Sequence, residues 1–163
     1  MSQLDDIVVP LLSARIFTGL TAAQLKALAL EAEAVTFKRG DILVRAYQEG
    51  DAAFLIGGGS VIEQFDHDDS ERPQEFGTGA MIGELAMLVE TLHSATIVAR
   101  SQVRALKFKR ESMQALMLKD PTLAEHFTEK LRLRLAETAK KLREVDHLFG
   151  GPVSVKAEVR SLS

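Results

Sequence analysis

The stretch Gly79-Ala80-Met81-Ile82-Gly83-Glu84-Leu85-Ala86-Met87-Leu88-Val89-Glu90-Thr91-Leu92-His93-Ser94-Ala95-Thr96-Ile97-Val98-Ala99 decides how this chain is read. It carries two glycines, the carboxylate of Glu84 among Met, Ile, Leu and Ala, and a polar His-Ser pair leading into a β-branched strand. A bare carboxylate is expensive to bury, so Glu84 must reach water or meet a polar group. The glycines let backbone approach a ligand closely, and the turn after Gly83 offers helix N-terminal N–H groups suited to an anion. A phosphate meets both conditions. The residues taken alone leave a second option open, in which Glu84 only caps a short helix, because carboxylates favour helix N-termini.

The order Gly-x-x-x-Gly-Glu-Leu-Ala, then a short helix, a basic residue and Ser-Ala-Thr, resembles the phosphate-binding cassette of the cyclic-nucleotide-binding domain family. The likeness extends from about Phe17 into the helical C-terminal region. It implies a β-roll holding a cyclic nucleotide, cAMP or cGMP, with the cassette Glu on the ribose 2′-hydroxyl and a cassette Arg on the cyclic phosphate. Glu84 keeps the first of these positions, and His93 stands where the Arg would be. Carried onto this sequence, the ligand set is Val61, Glu63, Ile82, Gly83, Glu84, Leu85, Ala86, His93, Ser94 and Ala95.

The exchange at position 93 has a physical cost. Arg offers a permanent charge in a bidentate fork, whereas His is mostly neutral at pH 7 and offers one donor. Loss of a charge-assisted hydrogen bond costs on the order of 1.5–3 kcal/mol, although a bound phosphate would raise the imidazole pKa and recover part of it. Ser94 still presents a hydroxyl and a backbone N–H. Glu63 shares a strand face with Val61, so it either sets a negative charge beside a nucleotide or hydrogen-bonds a purine amine. The residues alone leave open a cassette that has lost its ligand, or one that takes another anion such as a cyclic dinucleotide.

Upstream of the cassette, hydrophobic period and turn residues alternate quickly. Strands are expected from Val35, over Ile42–Val44 and Ala53–Ile56, and over Ser60–Phe65, with turns at Gly40-Asp41 and Gln48–Asp51. Short strands separated by turns about every ten residues indicate a roll or barrel. Gly57-Gly58-Gly59 has no following Lys-Ser/Thr and is expected to be a tight hairpin rather than a phosphate loop. Asp66–Pro73 is charged and turn-rich; the Gly and Glu that a calcium loop needs at its sixth and twelfth places are absent. Gln74–Gly77, Ala95–Ala99 and Val103–Phe108 complete the strands.

Helices flank the roll. Leu4, Ile7, Val8, Leu11 and Leu12 fall at helical spacing, and Thr21 is a fitting N-cap for a helix over Ala22–Ala34. A short helix over Arg110–Leu118 is expected to end near Asp120-Pro121, and a long one to run from Thr122 to about Leu148, stopped by Gly150-Gly151-Pro152. Leu131, Leu135, Thr138, Leu142, Val145 and Phe149 recur at alternating spacings of 4 and 3, a heptad seam that wants a partner helix. Its flanks interleave Lys and Arg with Glu129, Glu137 and Glu144, as on the solvated sides of a coiled coil.

The reading that results is mainly β with flanking helices: a double-stranded β-helix, or jelly-roll, with N-terminal helices and a long C-terminal dimerisation helix. One domain is expected over 1–150, comprising helices at 1–34, the roll at 35–109 and helices at 110–149, with a tail at 150–163. Composition excludes several classes. Net charge is −3, so no global field recruits nucleic acid, and only about a dozen residues follow Gly150 where the family's transcription factors append a winged helix. Direct DNA binding is therefore not expected. With no cysteine there are neither disulfides nor thiolate metal sites, no cofactor is expected, and a reducing cytoplasm is the expected location. No apolar run approaches the roughly 20 residues of a membrane span. The four His are scattered at 67, 93, 126 and 147 with no catalytic motif around them, so the expected role is regulatory rather than enzymatic. The expected partners are a small-molecule ligand, a second copy of the chain and an effector protein; the alternative is a ligand-independent dimerisation module.

Overall fold

The computed structural model describes residues 11–12, 14–64 and 73–148. After a 3-10 turn at Arg15–Phe17 come α1 (Ala22–Glu31) and strands β1 (Glu33–Phe37), β2 (Ile42–Val44), β3 (Glu49–Gly50), β4 (Ala52–Gly58), β5 (Val61–Gln64), β6 (Glu75–Phe76) and β7 (Met81–Ile82). A 3-10 helix at Glu84–Met87 follows, then β8 (Thr91–Leu92), β9 (Thr96–Ala99), β10 (Val103–Lys109), α2 (Arg110–Lys119) and α3 (Pro121–Leu148). The described residues form two compact units divided between Ala124 and Glu125, inside α3.

The first unit is a roll of two four-stranded antiparallel sheets, ordered β1-β10-β4-β7 and β2-β9-β5-β6, with β3 and β8 forming a separate ladder. Side chains from both sheets meet between them: Phe54, Ile56, Val103 and Ala105 from one, Leu43, Val44, Val61, Ile97 and Ala99 from the other. Burial of these side chains is the main driving force for closing the roll, at roughly 25 cal/mol per Å² of apolar surface. The opposite face of β10 carries Phe108, which packs on Phe17 with ring centroids 5.4 Å apart and so seats the N-terminal turn.

Two expectations are corrected. The helix capped by Thr21 ends at Glu31, three residues short of Ala34, because Ala32 turns extended and β1 takes Glu33 and Ala34 into register with Lys107 and Leu106. The cap itself forms as a capping box, in which Gln24 N–H donates to the Thr21 hydroxyl and Thr21 N–H to the Gln24 amide oxygen. The three glycines do not make a hairpin: β4 pairs with β10 and β7 while β5 pairs with β9 and β6, so the turn carries the chain from one sheet to the other. Gly57 and Gly58 belong to β4, and Gly59 alone makes the corner at φ +88°, where a Cβ would collide with the Gln102 carbonyl.

The junction before α3 follows from Asp120-Pro121. Asp120 is extended, as a residue before proline must be, and its carboxylate accepts from the N–H groups of Thr122 and Leu123, so Asp120 caps the helix that Pro121 opens. Gln24 of α1 ties the same corner by donating to Asp120 Oδ2 at 3.2 Å and to the Thr122 hydroxyl at 3.0 Å.

In the second unit the seam is uncovered: Leu135 is 70% and Leu142 54% exposed, and Leu133, expected on another face, is 47% exposed. Thr138 turns its hydroxyl back to the Arg134 carbonyl at 3.0 Å, and Leu131 is partly covered. The side chain of Val145 and all of Phe149 lie outside the described residues, as do Leu4, Ile7, Val8, Phe65 and the hairpin tip at 66–72. Among the described residues no helix is long and apolar enough to cross a membrane.

Candidate functional site

The cassette is built on Gly83. Its φ of +69° places it in the left-handed region, which glycine enters without a Cβ penalty, and the chain turns there from β7 into the 3-10 helix. Glu84 and Leu85 open that helix partly exposed, while Ala86 is buried. Ile82 is buried in register with Phe54, and Val61 is fully buried between Phe76 and Ala99. Glu63 is half exposed opposite Ile97, with its N–H on the Gln74 carbonyl at 2.9 Å. Gln64 pairs with Thr96, which brings β5 alongside the residues that follow Ser94 and Ala95; Ser94 is exposed.

His93 is held by the short ladder of β3 and β8. Its N–H donates to the Gln48 carbonyl at 3.0 Å and its carbonyl accepts from Tyr47 N–H at 2.8 Å. The imidazole packs into a slot between two glycines. A Cβ on Gly50 would overlap the Nε2–Cε1 edge of the His93 ring and lie 2.9 Å from the Ala86 methyl; one on Gly83 would come within 3.1 Å of His93 Cε1. Thus Gly50, Gly83, Ala86 and His93 are one close-packed group.

Burial in this slot pushes the His93 pKa below its ordinary 6.5, opposed only in part by the carboxylate of Asp51. The fold therefore stabilises the neutral ring. Because the unfolded chain binds the proton more tightly, this contribution is complete above about pH 6.5 and is lost as the pH falls through 6.5 toward the lower folded value. The carboxyl groups of Glu33 beside Lys109, Glu129 beside Arg132 and Asp120 beside Thr122 are held below their ordinary range and titrate at more acid pH.

His93 also borders an open depression of about 680 Å³ whose walls include Phe37, Asp41, Arg45, Gln48, Asp51 and Lys107. Neither Glu84 nor Ser94 lines it. His93 is thus reached from the side of β2 and β3 as well as belonging to the cassette.

Two residues escaped the sequence reading. Arg110, with a side chain 15% exposed, lies beneath the cassette, and the two N–H groups of its Nη1 are shared among three carbonyls: Gly50 at 2.9 Å, Val89 at 3.1 Å and Ala86 at 3.3 Å. A signal was present. Arg110 is the first residue of α2, and a cation is the wrong charge for a helix N-terminus. It is the right charge for the C-terminal carbonyls of the cassette's 3-10 helix, where the side chain goes. Tyr47 was also missed: it takes φ +66°, rare for a residue with a Cβ, while 76% exposed. Among the described residues no group of His, Asp and Glu is placed to hold a metal ion.

Comparisons with known proteins agree with this architecture. The family model for the cyclic nucleotide-binding domain matches residues 34–120, from β1 to the end of the α2 corner. A cyclic nucleotide-gated potassium channel of Mesorhizobium japonicum is 30% identical over 112 residues, 69% of this chain and 30% of the channel. The chain spans 26% and 30% of the curated relatives it matches. Among solved structures, a cyclic nucleotide-binding-like protein of Brucella abortus is 28% identical with a TM-score of 0.61, covering 69% of this chain and 98% of that one. The N-terminal domain of a transcriptional regulator of Streptomyces coelicolor is 25% identical with a TM-score of 0.69, covering 77% and 89%. With its roll, its cassette on Gly83 and a family match over more than half its length, this chain belongs to the cyclic nucleotide-binding domain family.

Proposed function

We propose that the chain is a non-catalytic regulatory module of the cytoplasm that takes cAMP or cGMP in its cassette and signals to a partner protein through its C-terminal helix, as a homodimer. In this reading Glu84 receives the ribose 2′-hydroxyl, His93 and Ser94 meet the cyclic phosphate, and Val61 and Glu63 line the base side. The observation that carries it is the close-packed group of Gly83, Ala86 and His93 within the family match over 34–120. The signal would be a population shift, which requires the nucleotide to bind one arrangement of the cassette more tightly than the other. The seam of Leu131, Leu135, Thr138, Leu142, Val145 and Phe149 would then pair two copies.

Calorimetric titration with each nucleotide tests the reading. Saturable binding with one nucleotide per chain supports it, and no heat at millimolar nucleotide contradicts it. His93→Arg is expected to tighten binding roughly tenfold or more, the equivalent of about 1.4 kcal/mol. A second reading, a ligand-independent dimerisation module, is favoured by the slot that keeps the imidazole neutral. It predicts no heat for either wild type or His93→Arg.

A further inference from the structure

One carboxylate faces the inside of the roll. Along β5, Val61 is fully buried and Glu63 is the next residue on the same face, directly opposite Ile97 of β9, which belongs to the apolar cluster between the sheets. Phe76 of β6, paired with Val61, packs on the same cluster. The backbone N–H of Glu63 is satisfied by the Gln74 carbonyl at 2.9 Å. Among the described residues no group donates a hydrogen bond to its carboxylate and no cation pairs with it. A carboxylate at the end of a core-facing row is thus left to water, or to a ligand with hydrogens to give.

Its distance from the cassette follows from register. Gln64 pairs with Thr96 and Glu63 with Ile97, so only three residues separate Ser94 from the residue that Glu63 faces. Three residues of chain span at most about 11 Å, the scale of a mononucleotide from phosphate to base edge. Chemistry then selects the base. A carboxylate offers acceptors only, on two oxygens side by side. The Watson–Crick edge of guanine sets the N1–H and an N2–H side by side as donors, so both oxygens are used in one bidentate, charge-assisted pair. Adenine offers a single amino donor, N6, flanked by the N1 and N7 acceptors, so the second oxygen would meet a lone pair.

We propose that Glu63 is the specificity-determining residue of the roll and selects guanine over adenine, which makes cGMP the preferred nucleotide. The proposal rests on the nucleotide reading above and chooses within it.

Calorimetric titration of the full chain with cGMP, cAMP and the inosine analogue cIMP tests this; cIMP keeps the N1–H of guanine and lacks the N2 amine. In wild type, cGMP is expected to bind about tenfold or more tighter than cAMP, with cIMP between them. Glu63→Gln keeps the shape of the side chain and turns one acceptor into a donor, which suits the donor–acceptor edge of adenine. The ratio of the cAMP Kd to the cGMP Kd is expected to fall about tenfold, to parity or below. A merely structural role would weaken all three nucleotides by one factor and leave the ratio in place. That result overturns the proposal, as does a wild type that binds cAMP and cGMP alike, or cIMP as tightly as cGMP. If Glu63→Gln does not fold, the wild-type series of three nucleotides decides alone. Saturable binding without discrimination overturns the choice of guanine and leaves the nucleotide reading standing. No heat with any of the three at millimolar concentration overturns both.

Discussion

His93 and Leu135 stand in opposite conditions. The imidazole is walled by Gly50, Gly83 and Ala86, so closely that a single methyl on either glycine would have to push it aside. Leu135, on a helix of 28 residues, is 70% exposed together with Leu133 and Leu142. The cassette takes its form from contacts within one chain, with glycine chosen where a neighbour comes close. The last helix carries an apolar periodicity whose Leu133, Leu135 and Leu142 stand exposed. Internal packing and external pairing respond to mutation differently, and that separates the two regions by experiment.

The largest effect is expected at the slot. Gly50→Ala forces a methyl into the His93 ring and the Ala86 side chain, and overpacking of this kind costs about 1–3 kcal/mol. Denaturant unfolding measures it; a loss below about 0.5 kcal/mol would mean that the ring leaves the slot freely. A smaller effect of opposite sign is expected at Tyr47, whose φ of +66° is strained and whose side chain is exposed. Tyr47→Gly relieves that strain and is expected to stabilise the roll by a few tenths to about 1 kcal/mol, net of the added freedom of the unfolded chain. Thermal unfolding reads this shift. Smallest on the same scale, Leu135→Ala with Leu142→Ala is expected to change roll stability by less than about 0.5 kcal/mol. Sedimentation equilibrium should nevertheless show the double variant dissociating at concentrations where the parent is paired. If both stay monomeric at tens of micromolar, the seam has no partner in a second copy.

How much of this could be read from the sequence differs between the two regions for a physical reason. Local signals were readable: Thr21 capped its helix, Asp120-Pro121 set the α2–α3 corner, and the strands at Ile42–Val44, Ala52–Gly58, Thr96–Ala99 and Val103–Lys109 followed from turn residues and alternation. Misreadings arose where pairing over long sequence separations decides. Gly57-Gly58-Gly59 looks like a hairpin, yet β4 and β5 each find partners elsewhere, and only Gly59 turns the corner. Ala32 to Ala34 favour helix by propensity, yet β10 draws Glu33 and Ala34 into its ladder. In the cassette, Glu84 and His93 stood out because they break an apolar run or a family order. Arg110 did not, since its three carbonyl partners are backbone atoms with no residue signature and lie 21, 24 and 60 positions away.

The most direct test of the account follows His93 itself. An NMR titration of its imidazole Cε1–H signal between pH 5 and 8, without and with saturating cAMP, reads both the slot and the site. In the free chain the midpoint is expected below 6.5, because burial disfavours the charged ring. With cAMP bound it is expected to rise, because a phosphate stabilises the imidazolium. A midpoint at or above 6.5 in the free chain, or one that cAMP at millimolar concentration leaves in place, would contradict the account.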